Sequence, residues 1–297
     1  MKLKSLALTL GVAVLCMSSA FAQTYNFETL NYPGDSFTQL LGINNSSDIA
    51  GYHGASPNKG FTYSTKNLKF TDENYPKSQQ TQVIGLNNEP SKTVGFYILG
   101  GKTVGFTDYK GTFTSVAYPK KPFNQLLGQN DYGQAAGYYS TTASGSGPDT
   151  AYVYDEDGGV FETFYIPGSV SAQATGINNA DNVCGFYIDS TGNSHGWVQI
   201  EGHFTVLDYP GAAQTSASGL NNKGSVVGFY VDTTGNTHGF VYNTTAATFT
   251  SVDDPNGVGM TIVNGVNDNG DLVGFYGPNA CTGSQTCNGF VATPAVN

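Results

Sequence analysis

Arginine is absent from this 297-residue chain, and charged residues of every kind make up only 11% of it. Nucleic-acid backbones are held mainly by Lys and Arg, so a formal charge of −10 with 12 basic residues excludes a nucleic-acid partner. An anionic membrane surface is disfavoured for the same reason. Helical patterning is also missing: beyond the first residues, no segment repeats apolar side chains at helical spacing for three turns. No later run is long and apolar enough for a membrane span. Catalytic signatures are lacking too. There is no nucleophile elbow, phosphate loop or zinc signature, and paired carboxylates such as Asp253 and Asp254 are common in surface turns.

The chain opens with Lys2 and Lys4, an apolar stretch from Leu6 to Met17 and the small-residue exit Ala20-Phe21-Ala22. That layout predicts a secretory signal peptide over residues 1–22, cleaved after Ala22. Leu15 stands where a lipoprotein signal needs a small residue, so Cys16 is not a lipid anchor. Removing Lys2 and Lys4 takes the formal charge from −10 to −12. Export implies an oxidising compartment, so Cys281 and Cys287 are expected to form a disulfide. Closing so short a loop stabilises a fold by about 2 kcal/mol. Cys184 aligns with Ala50, Val94, Ala136, Val227 and Val273 in the repeats below and reads as a small buried apolar residue.

What the chain does have is 39 Gly, 19 Tyr and 18 Phe, a mixture suited to strands, tight turns and aromatic packing. These residues recur. A Gly-x-Asn-Asn/Asp turn begins at Gly42, Gly85, Gly128, Gly176, Gly219 and Gly265. Each is followed by an apolar-Gly-aromatic triplet, from Ala50-Gly51-Tyr52 to Val273-Gly274-Phe275. A Gly-Phe-type pair comes next, at Gly60, Gly105, Gly196, Gly239 and Gly289, with Ala151-Tyr152 in the third copy. An aromatic-led run ending in proline completes the unit, at Pro33, Pro76, Pro119, Pro167, Pro210 and Pro255.

Around the fifth copy, Phe204–Asp208, Thr215–Leu220, Ser225–Val231 and Thr237–Asn243 are strand-length runs separated by strong turn chemistry. Within the third run, Val226 and Tyr230 share one face while Val227, Phe229 and Val231 share the other. A strand apolar on both faces lies between two layers. Four such strands per unit, covered on both sides by neighbours, describe a propeller blade. The period is too long for a β-helix coil, and helical solenoids need amphipathic helices.

The chain ends agree. The last copy stops after Asn288-Gly289-Phe290-Val291 without its proline-terminated strand, while Tyr25 to Pro33 supplies a strand of that type before the first turn. The sequence therefore predicts an all-β fold over residues 23–297, a single six-bladed β-propeller of four-stranded antiparallel blades. Its N-terminal strand closes the last blade and removes an exposed sheet edge. The recurrent strand glycines are expected to lie under an aromatic from the adjacent blade. The paired asparagines suit turns with left-handed φ or an Asx hydrogen bond.

With those motifs in place, the chain resembles the bacterial extracellular repeat family named for its His-Ala-Phe tripeptide, the HAF repeat. The likeness rests on Gly219-Leu220-Asn221-Asn222-Lys223-Gly224, Val226-Val227-Gly228-Phe229-Tyr230, His238-Gly239-Phe240 and the matching stretch from Gly176 to Trp197. Glycine replaces the family's alanine throughout, and two copies of six keep the histidine. The resemblance covers essentially the whole mature chain. It implies export and a propeller-like repeat, with no established activity and no catalytic residue to transfer.

The most suggestive ligand-binding candidates are the second aromatics Tyr97, Tyr139, Tyr187, Tyr230 and Tyr276, with His53 in the first copy. A near-sixfold set of phenols at a channel or rim would stack on sugar rings and hydrogen-bond them; blade-to-blade packing is the competing reading. His195 and His238 occupy equivalent positions after Asp-x-x-Gly-Asn turns. They are candidates for a ligand or acid–base site, although a polar strand start satisfies the slot without chemistry. Asp155-x-Asp157-Gly158 lacks the acidic residue that a calcium loop requires, so no metal and no cofactor is assigned. These features favour a secreted, monomeric, non-catalytic binding or scaffold protein whose partner is a glycan or surface protein. The alternatives are an extracellular polysaccharide hydrolase or lyase with its site at the propeller mouth, and a structural envelope or matrix component.

Overall fold

The computed structural model describes residues 23–88, 92–278, 281 and 286–295. The signal-peptide reading falls on residues 1–22, outside the described residues. Runs of Val, Thr, Tyr and Phe between glycine and asparagine turns form strands, and the described chain contains no helix. No described helix is therefore long and apolar enough to cross a membrane.

The strands pair into six antiparallel sets of four. In the first, Thr38–Ile43, Ile49–His53, Lys59–Ser64 and Lys69–Asp72 follow one another in chain order. The next four sheets begin at Gln80–Leu86, Phe123–Gln129, Ser169–Ile177 and Gln214–Leu220. The sixth draws on both ends of the chain. Gly259–Val266, Leu272–Pro278 and Asn288–Pro294 are completed by Tyr25–Thr29, which runs antiparallel from Tyr25 opposite Pro294 to Thr29 opposite Phe290. Single parallel pairs, Phe123 with Thr103 and Met260 with Thr237, link the second sheet to the third and the fifth to the sixth.

The sheets are phased by their turns. His203–Leu207 pairs with Ser194–Ile200 of the fourth sheet, so the strand that leads the fifth-copy runs closes the preceding sheet. Each set thus starts at the strand entering a Gly-x-Asn turn, the inner strand. The bond between Cys281 and Cys287 forms as expected. Cys287 also ties the sixth sheet to the first, because its carbonyl accepts from the Thr38 amide at 2.9 Å and its amide donates to Ser36 at 3.1 Å.

The core lies between sheets. Ala50 and Val83 meet between the first and second, Val94 and Leu126 between the second and third, Ala136 and Ala174 between the third and fourth. Cys184 and Ala217 follow, then Val227 and Val263, and Val273 of the sixth sheet packs on Leu40 and Phe61 of the first. Every sheet is covered on both faces, which is why its strands are apolar on both. Cys184 is part of this core, and burial pushes its thiol up to about 12.

Each inner strand carries a β-bulge at one repeated place. Register slips between Leu40 and Gly42, Val83 and Gly85, Leu126 and Gly128, Ala174 and Gly176, Ala217 and Gly219, and Val263 and Gly265. The skipped residues are Leu41, Ile84, Leu127, Thr175, Ser218 and Asn264. A bulge leaves such a residue unpaired and re-aims its side chain. Opposite sits the glycine of the apolar-Gly-aromatic triplet. A Cβ on Gly95 would stand 2.0 Å from the Gln82 carbonyl oxygen and 3.0 Å from the Phe106 ring. This corrects the expectation of an aromatic from the adjacent blade. Phe61, Phe106, Trp197, Phe240 and Phe290 cross the bare glycines from the third strand of the same sheet, and the carbonyl two residues before each bulge lies closer still.

Candidate functional site

At one end of the molecule the turn asparagines form two continuous hydrogen-bonded series. Asn44 donates from Nδ2 to the carbonyl of Asn87, Asn87 to Asn130, Asn130 to Asn178, Asn178 to Asn221, Asn221 to Asn267, and Asn267 back to Asn44, at 2.9–3.4 Å. The side-chain oxygen of Asn44 meanwhile accepts from the amides of Ser46 and Asp48, so the Asx turn was rightly expected. The left-handed φ falls later in the turn, at Ser47, Gly133, Asp181, Gly224 and Gly270. The second series passes from the Asn45 amide to Asn88 Oδ1 and on through Asp131, Asn179, Asn222 and Asp268, returning to Asn45, all at 2.8–2.9 Å. Burial works to raise the carboxyls of Asp131 and Asp268, but the amides donating to them hold both below their ordinary value.

One level in, the turn glycines touch. A Cβ on Gly85 would lie 3.0 Å from the Gly128 Cα, one on Gly128 3.0 Å from Gly176, and one on Gly265 3.3 Å from Gly42. No side chain fits this waist. The spaces at the asparagine and glycine levels are about 80 and 70 Å3, room for two or three waters at roughly 30 Å3 each.

Beyond the waist the space opens to a cavity of about 340 Å3. Its lining comes from three rows. All six bulge residues reach it; Gln39, Gln82, Gln125 and Ser216 stand two residues earlier on the inner strands; Tyr52, Phe96, Phe186 and Phe229 come from the second strands. The amides are held in place: the Tyr52 hydroxyl donates to Gln39 Oε1, the Tyr138 hydroxyl to Gln125 Oε1 at 2.9 Å, and Gln82 Nε2 to Asn58 Oδ1 at 2.7 Å. Among the lining residues there is no carboxylate, ammonium, imidazole or thiol. Amides and hydroxyls offer uncharged hydrogen-bond donors and acceptors, and the aromatic rings offer flat apolar faces.

The second aromatics lie elsewhere. Tyr97 stacks on Tyr75 and Tyr230 on Tyr209 with ring centroids 3.6 Å apart; Tyr139 meets Tyr118 at 4.4 Å, and His53 lies parallel to Tyr32 at 3.6 Å. Each partner is the tyrosine of the proline-ended run before it, so these pairs lie between sheets. Their hydroxyls point outward: those of Tyr97 and Tyr230 bond Ser115 and Ser251 of the outermost strands. Tyr187 stacks on His195 at 5.0 Å, and the Tyr276 hydroxyl bonds Thr29 of the N-terminal strand. Sequence reasoning passed over the first aromatic of each pair. The glutamines repeated at Gln39, Gln82, Gln125 and Gln173, amides in otherwise apolar strands, were the available signal.

His195 and His238 do not meet. His195 lies between Asp208 at 2.9 Å and Asp189 at 3.3 Å, and His238 between Asp253 at 3.1 Å and Asp232 at 3.3 Å. Burial by itself would lower the His195 imidazole, but its bonds to Asp208 and then Asp189 outweigh this and raise it. The Asn193 amide and the Thr191 hydroxyl hold Asp189 far below the usual carboxylate range. No group of three or more His, Cys, Asp or Glu side chains among the described residues is placed to hold a metal ion. One acid departs from the repeat close to the cavity wall. Asp149 accepts from Gln173 Nε2 at 2.7 Å, its other oxygen is buried without a partner, and burial raises its pKa.

No family model matches the chain, and no curated protein matches it in sequence. Solved structures do match in shape. A putative TolB from Agrobacterium tumefaciens superposes with a TM-score of 0.59 at 9% identity, over 88% of this chain and 91% of that one. AofleA from Arthrobotrys oligospora gives 0.55 at 11%, over 90% and 86%. A mutant Aleuria aurantia lectin in complex with Fucalpha1-6GlcNAc gives 0.53 at 10%, over 82% and 90%. At such identities the likeness concerns the fold alone: this chain is an all-β protein of four-stranded antiparallel sheets with propeller-like neighbours.

Proposed function

We propose that this chain is an exported, non-catalytic binding module, a closed six-bladed β-propeller of the HAF-repeat type that acts as a monomer on a neutral glycan. Closure is supported by the asparagine series that returns from Asn267 to Asn44 and by the pairing of Tyr25–Thr29 with Asn288–Pro294. Export is supported by the N-terminal sequence and by the disulfide, which persists in oxidising compartments. A glycan is supported by the lectins among the structural neighbours. The observation that carries the reading is the cavity wall, where uncharged amides and hydroxyls alternate with aromatic rings. Tyr97, Tyr139, Tyr187, Tyr230 and Tyr276 then serve the scaffold that holds this wall.

A glycan array probed with the purified mature chain tests the proposal. Selective binding to neutral glycans is expected. A blank array at high protein concentration, with a folded protein, refutes the glycan reading.

A further inference from the structure

The six bulge residues repeat in position but not in chemistry. The first three sheets contribute Leu41, Ile84 and Leu127, and the last three contribute Thr175, Ser218 and Asn264. At the level of the bulges, one side of the cavity is therefore apolar and the other polar. Building on the neutral-glycan reading, we propose that the cavity seats a single uncharged sugar ring at a chain end, C–H edge on the leucine side and hydroxyls on the Ser218–Asn264 side.

The polar side has spare capacity. Asn264 donates from Nδ2 to the Leu40 carbonyl at 3.0 Å, and neither its Oδ1 nor Ser218 Oγ has a hydrogen-bond partner among the described residues. Thr175 already donates to the Ala217 carbonyl at 3.0 Å and keeps lone pairs to accept with. On the second sheet Gln82 stands two residues before Ile84; Asn58 donates to Gly54 and presents Oδ1 to Gln82 Nε2, so Gln82 Oε1 remains an acceptor there. Hydroxyl groups with a donor and two acceptor sites match this mixture; a carboxylate or ammonium would lose its hydration with no countercharge in the wall. At about 340 Å3 the cavity lies at the small end of ligand sites, which run from roughly 300 to 1,000 Å3. The glycine waist blocks the far side, so a polymer cannot thread through and only a terminus enters.

The test is titration calorimetry of the mature chain with D-glucose, D-galactose, D-mannose, L-fucose and, as the charged probe, D-glucuronate, repeated on Ser218→Val and Leu127→Asn. Binding of at least one neutral sugar, with glucuronate silent and each variant weaker by roughly tenfold or more, is the expected result. Ser218→Val should keep the wild-type unfolding midpoint, so a loss there is not a folding failure. A sugar bound equally well by both variants overturns the cavity assignment while leaving the glycan reading standing. Glucuronate bound as tightly as glucose overturns the neutral-ligand claim. No binding of any probe, together with a blank array, overturns the glycan reading itself.

Discussion

Asn267 donates its side-chain amide to the carbonyl of Asn44, 223 residues earlier in the chain, at 3.1 Å. The other five links of the same series join residues only 43 to 48 positions apart. One repeated interaction thus serves both as a local contact between consecutive repeats and as the bond that joins the last to the first. Asn267 is 2% exposed, and its Oδ1 also accepts from the amides of Asn269 and Asp271. Replacing it with alanine removes one of the two donors to the Asn44 carbonyl, which keeps the Ser47 amide, and leaves two turn amides short of partners. We expect Asn267→Ala to lose about 2–3 kcal/mol in urea unfolding. An alanine variant as stable as the parent contradicts this role.

Removing residues 23–29 strips Tyr25–Thr29 from the sixth sheet and bares the edge of Asn288–Pro294. Unpaired edges template association. The shortened chain is expected to associate or aggregate beyond the parent in size-exclusion chromatography, and a peptide spanning the deleted strand should restore the parent's elution. A truncated chain that keeps the parent's elution and unfolding midpoint would count against the strand's role.

Two glycines of the second repeat separate packing from backbone freedom. At Gly95 a Cβ meets the Gln82 carbonyl at 2.0 Å, and no rotamer relieves that clash, so Gly95→Ala should fail to fold or lose several kcal/mol. Gly100 has φ of 59° with nothing within 4 Å, so Gly100→Ala should cost only about 1 kcal/mol. Circular dichroism melts of the two variants give the comparison.

Glu73 lies where the first sheet meets the second, with the Thr93 hydroxyl donating to its Oε1. Burial raises its pKa to about 7 from 4.5, the nearby Asp108 carboxylate adds to the shift, and the Thr93 bond opposes it. Because the folded pKa lies above the unfolded one, its contribution to stability is full below pH 4.5 and is lost as pH rises through 7. Glu73→Gln should therefore gain on the parent by about 3 kcal/mol between pH 4.5 and 8. Urea midpoints across that interval that stay parallel for the two proteins would refute this.

Changing Cys281 and Cys287 to serine removes the bond that holds Cys287, whose backbone pairs with Phe37 and Thr38, to Cys281. The double variant should unfold with about 2 kcal/mol less stability, and a reducing agent should reproduce the loss in the parent.

Much of this architecture was legible because each repeat writes the same local chemistry. Glycine and asparagine mark the turns, β-branched and aromatic residues mark the strands, and the spare strand at Tyr25–Thr29 complements the truncated last copy. The disulfide followed from export and the closeness of the two cysteines, and the burial of Cys184 from alignment of the repeats. The placement of the aromatics was not legible. Tyr52 and His53, or Phe96 and Tyr97, are neighbours on strands apolar on both faces, so alternation separates the two faces but cannot say which one turns toward the cavity.

The amino-acid order by itself determined the repeat, the strands and turns, and the pairing of the two chain ends, because these depend on residues near one another or on one complementary segment. Only the tertiary structure decided where the cavity lies and what lines it. The bulges at Leu41, Ile84, Leu127, Thr175, Ser218 and Asn264 arise from register between strands, and the glycine waist arises from contact among all six repeats. Neither is encoded within a single strand, so the side chains that face a ligand emerge when the sheets assemble.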